Sequence, residues 1–242
     1  MAVTLPSPPR ADKRGSTPPV EPLENGDLLT AGEFLRRDEA MPHVKKAELI
    51  EGIVYLGSPV RLIHAEPDTL AQTWLGFYAA HTPGTEAAGH ATVRLDVDNV
   101  PQPDALLRLL PECGGRSRVD AEGYLAGPPE LIVEIAASSA SIDLRDKLRV
   151  YHRNGVREYL VWRTVENQFD WFVLETDQYL PNAPDAQGLL RSRVFPGLCL
   201  RAEALLAHDS AQVLQVLQTA LQDPAHAAFV ARLKEMGKLP TS

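Results

Sequence analysis

Hydrophobic and polar positions follow several distinct rhythms along this chain. Residues 1 to about 26 follow none: prolines alternate with Ser, Thr and charged residues. Such a segment cannot bury enough apolar surface to offset its ordering entropy, and it predicts a disordered tail. Helical spacing begins at LLTAGEFLRRDEA, where Thr30 can cap a helix and Glu33, at the third following position, completes a capping box. In KKAELIEGIVYLGSP, AELIEG leads into an alternating strand that stops at Gly57-Ser58-Pro59. A helix from about His64 to His81 carries Leu70, Trp74, Phe77 and Tyr78 on one side, most simply as core or interface packing. HATVRLDVDN alternates Thr92, Arg94 and Asp96 against Val93, Leu95 and Val97, which predicts a strand. QPDALLRLL follows as another.

The second half opens with CGGRSRVDAEGYLAGPP, a Gly-rich loop long enough to suggest function rather than mere connection. ELIVEIA is a near-continuous apolar run, the mark of a strand covered on both faces. SSASIDLRDKLRVYHRNG reads as a loop and helix, with Gly155 placed to end it. VREYLVWRT and QFDWFVLET read as neighbouring strands, and residues from about Arg201 to Lys238 as one or two Leu- and Ala-rich helices. This order predicts an α/β protein with a mixed sheet and helices on its faces. The expected organisation is a tail over 1–26, one domain over 27–200, and a helical extension over 201–242. The extension has too few apolar partners of its own to make an independent core, so it is expected to pack on the domain.

Composition changes this picture in three ways. No stretch approaches the roughly 20 apolar residues of a membrane helix, and the N-terminus lacks the apolar region of a secretory signal. The two cysteines, Cys113 and Cys199, form no CxxC pair, which argues against a disulfide scaffold and structural zinc and fits a reducing cytoplasm. Lys and Arg number 24 against 32 Asp and Glu, for a net charge of −8. Nucleic-acid binders usually carry a basic surface. A site for divalent metal, however, needs clustered carboxylates, and a basic strip can be local.

The candidate chemistry starts from Glu134, a carboxylate at the centre of the apolar run LIVEIA. A lone buried charge costs several kcal/mol, so Glu134 needs either a basic partner or a metal. Pro103-Asp104 opens a strand about 30 residues earlier. Two carboxylates on adjacent strands can form an oxygen-ligand site for Mg²⁺ or Mn²⁺, and such a metal can activate water against a phosphodiester.

The sequential blocks AELIEG, PDALL, ELIVEIAASS and DLRDKLRVYHRNGVREYLVW, with FPGLCL near the end, resemble the Uma-type family of nucleases in the PD-(D/E)XK superfamily. The resemblance spans roughly residues 28 to 200. It implies a restriction-endonuclease-like core, a Mg²⁺ (or Mn²⁺) cofactor, DNA as substrate and a homodimer. By position it implies Asp104 as first metal ligand, Glu134 as second, and Glu48 as a helix-side carboxylate completing the site.

The superfamily pattern puts a Lys two residues after the strand carboxylate, on the same face. Here that position is Ala136. At about 100° per residue from Leu144, Lys147 lies only about 60° from the apolar direction, whereas Arg145 and Arg149 point away. Lys147 can therefore take over the missing role beside Glu134, orienting water or stabilising charge, or it can simply pair with Asp143 on the helix surface. His64 resembles a family histidine and can line the cleft, or be a solvated or capping residue. Arg116 and Arg118 can contact phosphate, or belong to a solvated loop. Two functions remain open: a Mg²⁺-dependent endonuclease, and a non-catalytic dimeric binding or scaffold protein that retains the fold.

Overall fold

The computed structural model describes residues 20–137 and 139–238. The first helix, α1 (Ala31–Glu39), precedes the hairpin β1 (Ala47–Ile50) and β2 (Ile53–Leu56). The long helix α2 (Leu62–His81) leads to β3 (Thr85–Gly89), the short β4 (Val93–Arg94) and β5 (Ala105–Leu109). Two further short strands, β6 (Arg118–Val119) and β7 (Leu125–Ala126), come before the central β8 (Leu131–Ala136). The crossover from β8 opens as α3 (Ala140–Ile142), passes through a π-helical turn (Asp143–Lys147) and continues as α4 (Leu148–Arg153). Next come β9 (Glu158–Arg163), β10 (Gln168–Glu175), β11 (Gln178–Pro181), β12 (Leu190–Arg191) and β13 (Cys199–Leu200). Helices α5 (Ala202–Leu206), α6 (Ser210–Ala220) and α7 (Pro224–Met236) close the chain.

Six strands form the main sheet in the order β11-β10-β9-β8-β5-β3. Only β8 and β9 run parallel, because a helix lies between them in sequence; hairpin-type returns make the rest antiparallel. Period-two alternation splits the strand residues between two cores. Leu107, Leu131, Val133, Ile135, Leu160 and Trp162 pack under α2 together with Val213, Leu217, Phe229 and Leu233 of the last helices. Leu106, Ile132, Ala136, Tyr159 and Val161 face the crossover through Val150 and Tyr151. β8 is buried along its whole length, as its near-continuous apolar run requires.

Several expectations need correction. Within the expected tail, residues 1–19 lie outside the described residues, but Leu23 is buried beside Phe34 and Leu35 of α1, so packing starts before residue 26. Thr30 is the N-cap of α1 but makes no side-chain cap bond; Glu33 turns to Arg36 and Arg37 instead of back to Thr30. β3 was not anticipated: TEAAG has little intrinsic strand preference and owes its form to pairing with β5. The expected strand over HATVRLDVDN shrinks to Val93–Arg94, because Asp96 accepts from Asp98 N and Asn99 Nδ2 in a side-chain turn. The Gly-rich loop holds β6 and β7, which join β4 in a three-stranded sheet. The C-terminal region forms three helices rather than one or two.

Candidate active site

Four elements bring charged groups to the crossover face of the sheet. The hairpin β1–β2 docks through Leu49 and Val100, which exchange backbone bonds of 3.1 and 2.8 Å. Docking buries Glu48, whose Oε1 accepts from Gln102 N at 2.8 Å. Two residues further on, Asp104 stands one step beyond the last β5–β8 ladder pair, Ala105↔Val133. Continuing that register sets Asp104 opposite Glu134, and directly opposed residues share a face. The Asp104 Oδ2 accepts from Ile135 N at 2.8 Å, so the carboxylate takes the donor that a longer β5 backbone would have used.

The crossover supplies the cation. Lys147 Nζ lies 2.9 Å from Glu48 Oε1, 3.0 Å from Glu134 Oε1 and 3.5 Å from Asp143 Oδ1. Asp143 and Lys147 are the first and last residues of the π-helical turn, and both are buried. Such turns recur at functional sites, and this one turns both residues inward while Arg145 and Arg149 stay exposed. Tyr151 donates to Glu134 Oε1 at 2.8 Å, and Tyr159 donates to the Asp143 carbonyl at 3.0 Å. Ser139 donates to Asp143 Oδ2 at 2.5 Å.

Burial pushes the Glu134 carboxyl upward; Lys147 pulls it down, while Asp104, Asp143 and Glu48 push it further up. Burial also opposes the Lys147 charge, but Glu134, Glu48 and Asp143 more than offset this and hold the ammonium well above its usual value. Lys147 is therefore a cation in this setting. For Asp104, burial again works upward, yet the His64 hydrogen bond and the Lys46 and Lys147 charges outweigh it and hold the carboxyl well below the ordinary range.

A second group surrounds Asp104. Lys46 Nζ is 2.9 Å from Oδ1, His64 Nε2 is 3.5 Å from Oδ2, and His90 Nδ1 is 3.8 Å from Oδ1. His90 follows the last residue of β3 with φ +53°, a conformation that L residues rarely adopt and that tends to collect at functional sites. Its Nε2 lies 2.9 Å from Asp68 Oδ2, and Gln72 donates to Asp68 Oδ1 at 2.8 Å. The Asp68 bond, against the cost of burial, raises the His90 pKa.

Asp104, Glu134, Glu48, Lys147 and His64 thus come together. Glu48 reaches the group from a strand, however, not from a helix as expected, because Glu51 and Gly52 form a tight turn between β1 and β2. Lys147 and Asp143 do form the i,i+4 pair, but it is buried in the site rather than on the surface. Arg116 is directed elsewhere: its guanidinium donates to the Gly155 carbonyl at the end of α4. Arg118 stands exposed on β6. Lys46, His90, Asp68, Asp143 and Tyr151 were not among the expected site residues. Lys46 had a signal, since period-two alternation puts it on the same side as Glu48; His90 had none, because the unforeseen β3 delivers it.

A mixed sheet flanked by helices, with an acidic pair on adjacent strands and a lysine on the crossover, defines an α/β protein. Its fold is similar to the crystal structure of "a putative nuclease belonging to DUF820" from Anabaena variabilis, with a TM-score of 0.58 and 18% identity over 74% of this chain and 98% of that one. The chain belongs to the Uma2 family, described as "Putative restriction endonuclease", whose model matches residues 31–203. No curated protein matches it. Among the described residues, no helix is long and apolar enough to cross a membrane.

Proposed function

We propose that this protein is a metal-dependent endonuclease of the PD-(D/E)XK type that hydrolyses phosphodiester bonds, with DNA as substrate and Mg²⁺ or Mn²⁺ as cofactor. The observation that carries the reading is the Lys147 ammonium, held within 3.0 Å of both Glu134 and Glu48 on the sheet face that Asp104 shares. A lysine at that place restores from the helix the positive charge that Ala136 cannot provide from the strand. The homodimer rests on the resemblance of the sequence blocks, and the cytoplasmic setting on the two cysteines without a CxxC pair.

The donor set fits a hard cation. Asp104, Glu134 and Glu48 offer only oxygen, and Lys147 holds Glu134 and Glu48 through Oε1 of each. Among the described residues no three His, Cys, Asp or Glu side chains are gathered as a ready-made cage. Mg²⁺ does not require one, because it is commonly held by one or two carboxylates, with waters and substrate phosphates completing its shell. Asp104 and Glu134 would be those carboxylates, with Glu48 alongside. When bound, the metal would supply Lewis-acid polarisation of the phosphoryl oxygen and a lowered pKa for water.

The remaining work falls to the chain itself. Asp104 stays ionised in a buried position because Ile135 N, Lys46 and His64 hold it. Tyr151 and Lys147 fix Glu134 from the crossover side. Being fully cationic, Lys147 cannot accept a proton; it contributes field and position. A second reading, a non-catalytic relative keeping the fold, is favoured by the same network, since Glu134 and Glu48 are already paired and a satisfied buried ion network can be purely structural. Thermal melting with increasing Mn²⁺ separates the two. A working site raises the melting temperature by mass action, by an amount equivalent to about 2.7 kcal/mol at a hundredfold excess over Kd; a purely structural network leaves it unmoved.

A further inference from the structure

The two lysines of the site differ in how their donors are used. A lysine ammonium has three N–H donors and no acceptor. Lys147 Nζ donates to Glu134 and lies within 3.5 Å of a carboxylate of Glu48 and of Asp143 as well, so carboxylates of the site itself surround it. Among the described residues, Lys46 Nζ makes an ion pair with Asp104 alone, which leaves two donors. Exposure follows the same division: the Lys147 side chain is 4% accessible and the Lys46 side chain 29%. An incoming anion can reach Lys46 directly. To reach Lys147 it would have to displace a buried carboxylate.

The stem of Lys46 is held in place. Its carbonyl accepts from Gly57 N at 2.8 Å, and a Cβ added at Gly57 would come within 2.9 Å of Lys46 Cβ. The close approach of a residue without a side chain therefore fixes where the lysine emerges.

We infer that Lys46, and not Lys147, contacts the phosphate of the substrate, donating to a non-bridging oxygen beside Asp104, while Lys147 holds the carboxylates together. This rests on the nuclease reading above and divides between two lysines the work that a strand lysine would do alone.

The test compares wild type with Lys46→Gln, Lys46→Met and Lys46→Arg, on a labelled DNA duplex in Mn²⁺. Gln keeps a donor for Asp104 without charge, so it guards against a mere folding defect in the Met variant. Gln and Met are expected to lower kcat/KM by about 10²-fold, the usual loss for one transition-state donor. The slope of log binding constant against log salt should fall by about one phosphate contact. Arg, which keeps the charge, should recover most of the loss, and all variants should keep the Mn²⁺-dependent rise in melting temperature. Gly57→Ala should lower kcat/KM without removing any charge. Equal cleavage and an unchanged salt slope in Lys46→Gln and wild type would overturn the assignment while leaving the nuclease reading intact. A wild type that neither binds nor cuts nucleic acid would overturn both.

Discussion

Lys147 Nζ lies 3.0 Å from Glu134 Oε1, although the two residues are 13 apart and sit on different elements, a π-helical turn and a buried strand. The parallel β8–β9 pair requires a crossover, and the crossover returns its first turns over the strand it has just left. A lysine on that turn therefore meets a carboxylate on that strand. Removing one member of a buried pair leaves an uncompensated charge, at a cost of about 3–5 kcal/mol. Lys147→Met should lower the denaturation midpoint accordingly. The double variant Lys147→Met/Glu134→Gln should lose less than the sum, because Glu134 no longer carries a buried charge that has lost its cation. Urea titration of the three variants checks this; additive losses would show that the two groups are not coupled.

Tyr151 offers a milder test of how Glu134 is held. Its hydroxyl donates to Glu134 Oε1 at 2.8 Å while its ring packs edge-on against Tyr159. Tyr151→Phe keeps the ring and removes only the bond, so stability should fall by about 1.5–3 kcal/mol, the range for hydrogen bonds to charged groups. Calorimetric melting gives the number. A variant as stable as wild type would mean that Glu134 is held by Lys147 alone.

Glu158 lies outside the candidate site and sets a pH dependence. It is fully buried on β9 and accepts from Ser192 Oγ and from Arg193 N and Val194 N. Burial pushes its carboxyl from the ordinary 4.5 up to about 7, against the pull of those bonds. The native state thus holds a proton in this interval that the unfolded chain has released. Its stability contribution is complete below pH 4.5, falls as pH rises toward 7, and is lost above. The loss is on the order of 3 kcal/mol. Glu158→Gln should flatten stability against pH across that window, as read by denaturant midpoints at several pH values. An unchanged slope would show that another group is responsible.

The C-terminal helices share the larger core: Val213, Leu217, Phe229 and Leu233 pack with Trp74 and Tyr78 of α2. We propose that they fold with the sheet as one unit. Phe229→Ala should then cost about 3–5 kcal/mol of the whole transition, with near-ultraviolet and far-ultraviolet signals moving together. An early, separate melt of the helices would mean that they fold independently.

The parts of this structure that the sequence made legible are those governed by local rhythm. The burial of β8 followed from LIVEIA; α-helical phase put Lys147 on the inward side, although the turn that carries it there is π-helical. The parts that were not legible depend on long-range pairing. TEAAG becomes β3 only because β5 lies beside it, and His90 reaches Asp104 only because β3 ends there. Glu48 was expected on a helix because a resemblance fixes positions in a pattern, not the element that carries them. The turn at Glu51 and Gly52, which makes AELIEG a strand, depends on both residues taking positive φ.

The central claim is that Asp104, Glu134, Glu48 and Lys147 form a metal-dependent phosphodiesterase centre. Its most direct test is cleavage of labelled DNA by wild type and by Glu134→Gln, each with Mn²⁺ and with chelator. The account predicts cutting by wild type in Mn²⁺ only, and a rate at least about 10²-fold lower for Glu134→Gln. Cleavage that persists in chelator, or that Glu134→Gln performs at the wild-type rate, would contradict it.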